Sequence, residues 1–112
     1  MKFSCFVCFE AIVPQLKAAD RDGVIAELVE ALKKQGRLGK VKPANIIKAV
    51  IARENEASTG VGKGVAVPHA KHRAIPEMVA AVGRSSAGID FSSLDKQPVY
   101  SIVLVLSPTN QA

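Results

Sequence analysis

Apolar positions recur at helical spacing in the first half of the chain and gather into short blocks in the second. Val24, Ile25, Leu28, Val29 and Leu32 share one face of a helix over about Arg21–Gln35, with Glu27, Glu30 and Lys34 opposite. Asp20 is placed to cap its first free amides, and Gly36 suits the left-handed residue that closes it. A second helix starts at Pro43, whose missing N–H costs nothing at that position. Ile46, Ile47, Val50 and Ile51 form its buried stripe, and it fades near Glu54 or Asn55. Beyond this helical hairpin the pattern changes. Gly64–Val67, Met78–Arg84 and Val99–Leu106 read as strands, the last apolar on both faces as a central strand is. Gly88-Ile-Asp90 marks a turn between the two longer strands. An early strand over Ala11–Leu16 contains Pro14, which places it at an edge or makes it irregular. Helices followed by strands predict an α/β (α+β) fold, a mixed sheet with helices packed on it.

Length and composition narrow the class. The 112 residues, 48% hydrophobic and 22% charged, suit one domain over residues 1–112 with a real core, which excludes disorder for most of the chain. The longest strongly apolar run, Ile102–Leu106, is far short of the ~20 residues a membrane-spanning helix needs. The formal charge of +5 admits an anionic partner, but the cations are scattered and aromatics are 4% with no Trp. No nucleic-acid partner is expected on that balance. Cys5-x-x-Cys8 sits in an apolar segment without Pro or Gly between the thiols, and no second cysteine pair completes a zinc set. Thiols packed as small hydrophobes are the simpler reading beside a redox pair. Glu10 breaks the leading apolar stretch and no small-residue cleavage site follows, so the expected location is the cytoplasm.

The most informative stretch is Ser58-Thr-Gly-Val-Gly-Lys-Gly-Val-Ala-Val-Pro-His69. A Walker loop would need Gly where Ala57 stands and Ser or Thr where Gly64 follows Lys63. A dinucleotide fingerprint would need Gly at position 65, which is Val, and a helix directly after it. Both nucleotide readings fail. What remains is a hydroxyl-bearing glycine loop feeding a short strand that ends on Pro68-His69 at the rim of a sheet. A neutral imidazole has one unprotonated nitrogen and can act as a nucleophile near neutral pH. Phosphoryl transfer to it would also need cations and donors, which Arg53, Ser58, Thr59, Lys63 and the loop amides offer. The alternative is a histidine bonded to a neighbouring carbonyl. His72, beside Lys71 and Arg73, reads as a solvated surface histidine.

Arg53-Glu54 followed by this motif resembles the active-site signature of the enzyme IIA domains of the bacterial phosphotransferase system, fructose/mannitol type, a branch that includes nitrogen-regulatory phosphocarriers. Gly83-Arg-Ser and Gly88-Ile-Asp-Phe-x-x-Leu-Asp95-x-Gln-Pro-Val99 match the usual continuation, and the likeness runs from about Leu16 onward. The resemblance implies a mixed sheet sandwiched by helices. It makes His69 the residue that receives a phosphoryl group from HPr and passes it to a cysteine of a IIB domain. Arg53 would balance phosphoryl charge, Ser58, Thr59, Gly60 and Gly62 would form the adjoining loop, and Lys63 is a further candidate for holding the phosphoryl group. No cofactor or metal is implied.

In the family pattern, a second histidine and two closing helices come after the segment matching Ser107-Pro108-Thr-Asn-Gln-Ala112, and the resemblance therefore makes this a C-terminally truncated member. It follows that one sheet face should expose apolar side chains of Val99–Leu106, with self-association as the consequence. Two other roles stay open beside transport: a regulatory module that binds a kinase or transporter according to its phosphorylation state, and an inactive IIA-like binding domain.

Overall fold

In the computed structural model, residues 7–56, 58–75, 77–91 and 96–108 are described, except for the side chains of 7–10 and 61. The elements follow in the order β1 (Val7–Val13), α1 (Arg21–Lys34), α2 (Pro43–Glu56), β2 (Gly60–Gly62), β3 (Val65–Ala66), β4 (His69–Lys71), β5 (Val79–Ile89) and β6 (Val99–Ser107). All six strands belong to one mixed sheet, as the α+β reading requires. The order is β1-β5-β6-β3-β2, with β4 also paired to β6.

The helix signals work locally as their chemistry dictates. The Asp20 carboxylate accepts from the Gly23 amide at 2.9 Å, and Gly36 takes a left-handed φ of 71° just after α1. Val24, Ile25, Leu28, Val29 and Leu32 of α1 and Ile46 and Val50 of α2 are buried. They join Ala70, Val79, Ala81, Ile102, Leu104 and Leu106 from the sheet in one core cluster. Arg21 donates to the Asn55 side-chain oxygen at 2.7 Å, tying the start of α1 to the end of α2.

β6 is central. It is antiparallel to β5 and parallel to β3 and β4, which lie end to end along its other side. Val65 and Ala66 pair with Ser101 and Ile102, whereas His69, Ala70 and Lys71 pair with Val105, Leu106 and Ser107. β3 and β4 are thus one strand line interrupted at Val67-Pro68, where proline supplies no donor. The Pro68 carbonyl still accepts from the Val105 amide at 3.0 Å, which keeps the line in register across the break.

Five sequence readings change. The strand expected over Gly64–Val67 is a hairpin: β2 and β3 flank a two-residue turn, Lys63 and Gly64, with φ of 58° and 77°. Gly88 to Asp90 is not the turn between long strands, because β5 continues through a bulge to Ile89, which pairs with Val99. Gly88 takes φ 86° inside that bulge, a conformation that glycine adopts without strain. The early strand is Val7–Val13 and ends before Pro14, and it is an edge strand, parallel to β5. α2 extends to Glu56. The expected apolar exposure along Val99–Leu106 is confined mainly to Tyr100, which is 40% exposed: Val103 and Val105 are half-buried, and Val99, Ile102, Leu104 and Leu106 are buried. Cys5, Leu94, Asp95 and the tail from Thr109 lie outside the described residues. No helix among the described residues is long and apolar enough to cross a membrane.

Candidate functional site

Strand β4 begins on His69 because the Val67-Pro68 break ends β3 just before it. Alternation along β4 buries Ala70 against α2 and leaves His69 and Lys71 exposed. The last turns of α2 stand over this edge. Ala49, Ala52, Arg53 and Glu56 from the helix, with His69, Ala70 and Lys71 from the strand, line a cleft of about 360 Å³. It holds two cationic side chains, one carboxylate and the imidazole. Arg53 is half-buried at the helix C-terminus, where its charge also complements the helix dipole. Lys71 has no hydrogen bond or ion pair to a described residue, so its ammonium is open to an incoming anion.

His69 Nδ1 lies 3.0 Å from the Val67 carbonyl oxygen. A carbonyl only accepts, so Nδ1 carries a proton, and in the neutral ring Nε2 is left with its lone pair. The carbonyl is free for this because it belongs to the peptide before Pro68, at the break in the strand line. The two readings of the histidine, nucleophile and carbonyl-bonded ring, are therefore compatible: the bond is what leaves Nε2 nucleophilic.

The loop residues are placed differently from their expected role. Thr59 is only 7% exposed and turned inward: its amide and hydroxyl donate to the two oxygens of Glu54 at 2.8 and 2.7 Å. Glu54 is 3% exposed, a buried carboxylate satisfied by this pair. Ser58 Oγ donates to the Phe91 carbonyl and accepts from the Gly60 amide at 3.0 Å. Ser58, Thr59 and Gly60 thus spend these groups on holding the loop. Gly62 and Lys63 lie at the hairpin end, where the Gly64 carbonyl accepts from Tyr100 and Ser101. His69 pairs with Val105. Four to five strand positions separate these points on β6, about 15 Å, so the structure does not bring Lys63 or Gly62 to His69.

His72 is not simply a solvated histidine. Its Nδ1 accepts from the Ala74 amide at 3.0 Å, its own amide donates to Ser107 and its carbonyl accepts from Ile75. It staples the turn after β4, and that bond puts its ring proton on Nε2, the reverse of His69. Glu54 stands beside Arg53 in the quoted motif, but the sequence reading gave it no role. A glutamate in the last turn of an amphipathic helix looks like surface, and beside its place in the motif the signal is a Thr five positions later in the following loop. A larger cleft of about 600 Å³, lined by Val13, Lys17, Glu27, Glu30, Ala31, Lys33 and Lys34, lies at α1 and contains neither histidine. Its Glu27 accepts from the Lys17 and Ala18 amides and so holds the β1–α1 connection.

Comparison with known proteins gives one consistent family. The family described as "Phosphoenolpyruvate-dependent sugar phosphotransferase system, EIIA 2" matches residues 7–112. A fructose-specific EIIABC component of Bacillus subtilis is 33% identical over 105 residues, 94% of this chain and 16% of that protein. A fructose-specific EIIA component of Haloferax volcanii is 37% identical over 90 residues, 80% of this chain and 57% of that protein. A nitrogen regulatory protein of Bradyrhizobium diazoefficiens is 34% identical over 108 residues, 96% of this chain and 69% of that protein. The crystal structure of the nitrogen regulatory protein IIA-Ntr from Neisseria meningitidis superposes with a TM-score of 0.85 at 27% identity. That match covers 94% of this chain and 70% of the Neisseria one. The chain therefore spans a minor part of the Bacillus relative and a little over half of the haloarchaeal one.

Proposed function

The chain belongs to the EIIA 2 family of the phosphoenolpyruvate-dependent sugar phosphotransferase system, and from that membership we propose that it is a cytoplasmic phosphohistidine carrier. In this reading His69 accepts a phosphoryl group from an HPr-type donor and passes it to a cysteine of a IIB domain. The observation that carries the proposal is the His69 ring, exposed in the Arg53 cleft with Nδ1–H bonded to the Val67 carbonyl. The Nε2 lone pair forms a new N–P bond as the N–P bond to the donor histidine breaks. The donor nitrogen recovers its lone pair, and the Nδ1 proton stays on its carbonyl. Delivery to a cysteine thiolate reverses the order: an S–P bond forms and Nε2 regains its lone pair. Arg53 and Lys71 face the charge of the moving phosphoryl group. No step needs a metal or organic cofactor.

A regulatory role, in which phosphorylation decides which kinase or transporter the domain binds, is the second reading. The likeness to two nitrogen regulatory proteins, over 96% and 94% of this chain, favours it. Self-association through the sheet face opposite the helices belongs to either reading.

Incubation with phosphoenolpyruvate, enzyme I and HPr, followed by intact-mass measurement, tests the carrier function. One acid-labile phosphoryl group is expected on the wild type and on His72→Ala, and none on His69→Ala. Charged HPr beside an unmodified wild-type chain would remove the proposal.

A further inference from the structure

We propose that the buried Glu54–Thr59 pair is a positioning device that fixes the tautomer of His69 from the far side of the strand line. The inference rests on the carrier reading and adds two residues to it, neither of which touches the phosphoryl group.

A continuous set of hydrogen bonds joins the end of α2 to the imidazole. The Glu54 carboxylate takes both the amide and the hydroxyl of Thr59, at 2.8 and 2.7 Å. The Thr59 carbonyl accepts from the Val67 amide at 3.2 Å. The Val67 carbonyl accepts from His69 Nδ1 at 3.0 Å. Each link sets the position of the next. With its carboxylate buried, Glu54 fixes Thr59 at two atoms, so the Thr59 carbonyl cannot rotate away from Val67. Val67 has lost its ladder continuation because Pro68 follows, and the Thr59 bond is what orients it on the side away from β6. Its carbonyl then has one direction, toward the ring.

The effect is one of geometry, since the amide and the carbonyl of Val67 belong to different peptide groups and no proton moves along the chain of bonds. Its chemical consequence is selective. A ring without the carbonyl partner would divide its proton between the two nitrogens, and only the Nδ1–H form presents a lone pair at Nε2. The same arrangement explains why a carboxylate is kept in the last turn of α2, next to Arg53. Glu54 anchors the helix end that carries the cleft arginine and the loop that orients the histidine, so both walls of the cleft are set by one buried group.

Long-range ¹H–¹⁵N spectra of the imidazoles test this at a pH where both rings are neutral. Wild type is expected to show His69 as the Nδ1–H tautomer and His72, which accepts at Nδ1, as the Nε2–H tautomer. Thr59→Val removes the hydroxyl link and Glu54→Gln replaces the double acceptor by an amide. Both are expected to bring the His69 resonances to the averaged values of a tautomer mixture while His72 stays as it was. Phosphoryl uptake should slow by about tenfold or more, the scale on which losing an orienting partner acts on a catalytic group. Thr59→Ser, which keeps the hydroxyl, should hold the wild-type tautomer. A folded Thr59→Val protein, judged by circular dichroism and melting, with an unchanged His69 tautomer would overturn the proposal, whatever Glu54→Gln does to stability. The spectra need no phosphoryl donor. A wild type that is never phosphorylated would therefore sink the carrier reading, while the spectra still decide this one.

Discussion

Arg53 and Lys71 reach the cleft from different walls, α2 and β4, and they differ in how firmly they are held. Arg53 is half-buried at a helix end, whereas Lys71 is exposed on an edge strand. A phosphoryl group brings close to two negative charges, and a cation works best on it where water is excluded. Arg53→Ala is expected to slow phosphorylation of His69 by about a hundredfold, the loss typical of one fixed donor at a developing charge. Lys71→Ala should cost about fivefold or less, the value of an exposed charge. An intact-mass time course with phosphorylated HPr measures both, and equal losses would show that the arginine has no privileged position. At this scale the long motif pointed to His69 and Arg53, which line one cleft, and Asp20 was legible because capping is local chemistry. The burial of Glu54 was not legible, since it depends on where Thr59 returns after the helix. Lys63 misled for the opposite reason: next to glycines it looks like a phosphate ligand, and only the hairpin carries it away.

Strand β5 shows how an element can be read correctly in kind and wrongly in extent. Its apolar start is clear, but the sequence reads as a strand over Met78–Arg84 with a turn at Gly88–Asp90, because Ser85-Ser-Ala-Gly88 has little β propensity. The bulge between Arg84 and Ile89 holds this polar stretch in the sheet, and pairing with β6 overrides the local preference. Within β5, Gly83 is required by space. A Cβ there would stand 2.9 Å from Leu16 Cδ2 and 3.0 Å from Leu28 Cδ2. Gly83→Ala is thus an overpacking substitution under α1, expected to destabilise the fold by about 1–3 kcal/mol. Denaturant melts would show it as a lower midpoint at unchanged slope, and an unaltered midpoint would mean that the two leucines yield freely. The glycine pattern of β2 was equally hard to read, because Gly60 to Gly62 forms a strand through its partner β3 and with little help from propensity.

For the whole molecule, the helix-then-strand order announced a mixed sheet with helices on it, and the core residues of α1, α2 and β6 were legible from periodicity. Strand order was not. β1 pairs with β5 across most of the chain, and no local signal reports such a partner. The sheet face opposite the helices carries a row running from Ile12 through Val82 to Val103. Ile12 is 41% exposed while both valines are half-buried. Ile12 is thus the one largely exposed member of this row, and the half-buried valines add little for a second copy to cover. Self-association is therefore expected to be weak and to rise with concentration, and Ile12→Lys should abolish it. Light scattering over a concentration series measures this, and a monomer at every concentration would remove the oligomer from the proposed function.

The central place of β6 bears on the order in which the protein is made. β3, β4 and β5 all pair with this strand, and β1 joins only through β5. During synthesis the ribosome therefore releases α1, α2 and β1 to β5 before the strand that organises them. Until residues 99–107 emerge, the nascent chain can form α1 and α2 but has no template on which to align β3 with β4. The break at Val67-Pro68 acquires its direction only when Val105 reaches Pro68. His69, whose strand pairs with the segment around Val105, therefore takes its place in the cleft only after β6 has been made.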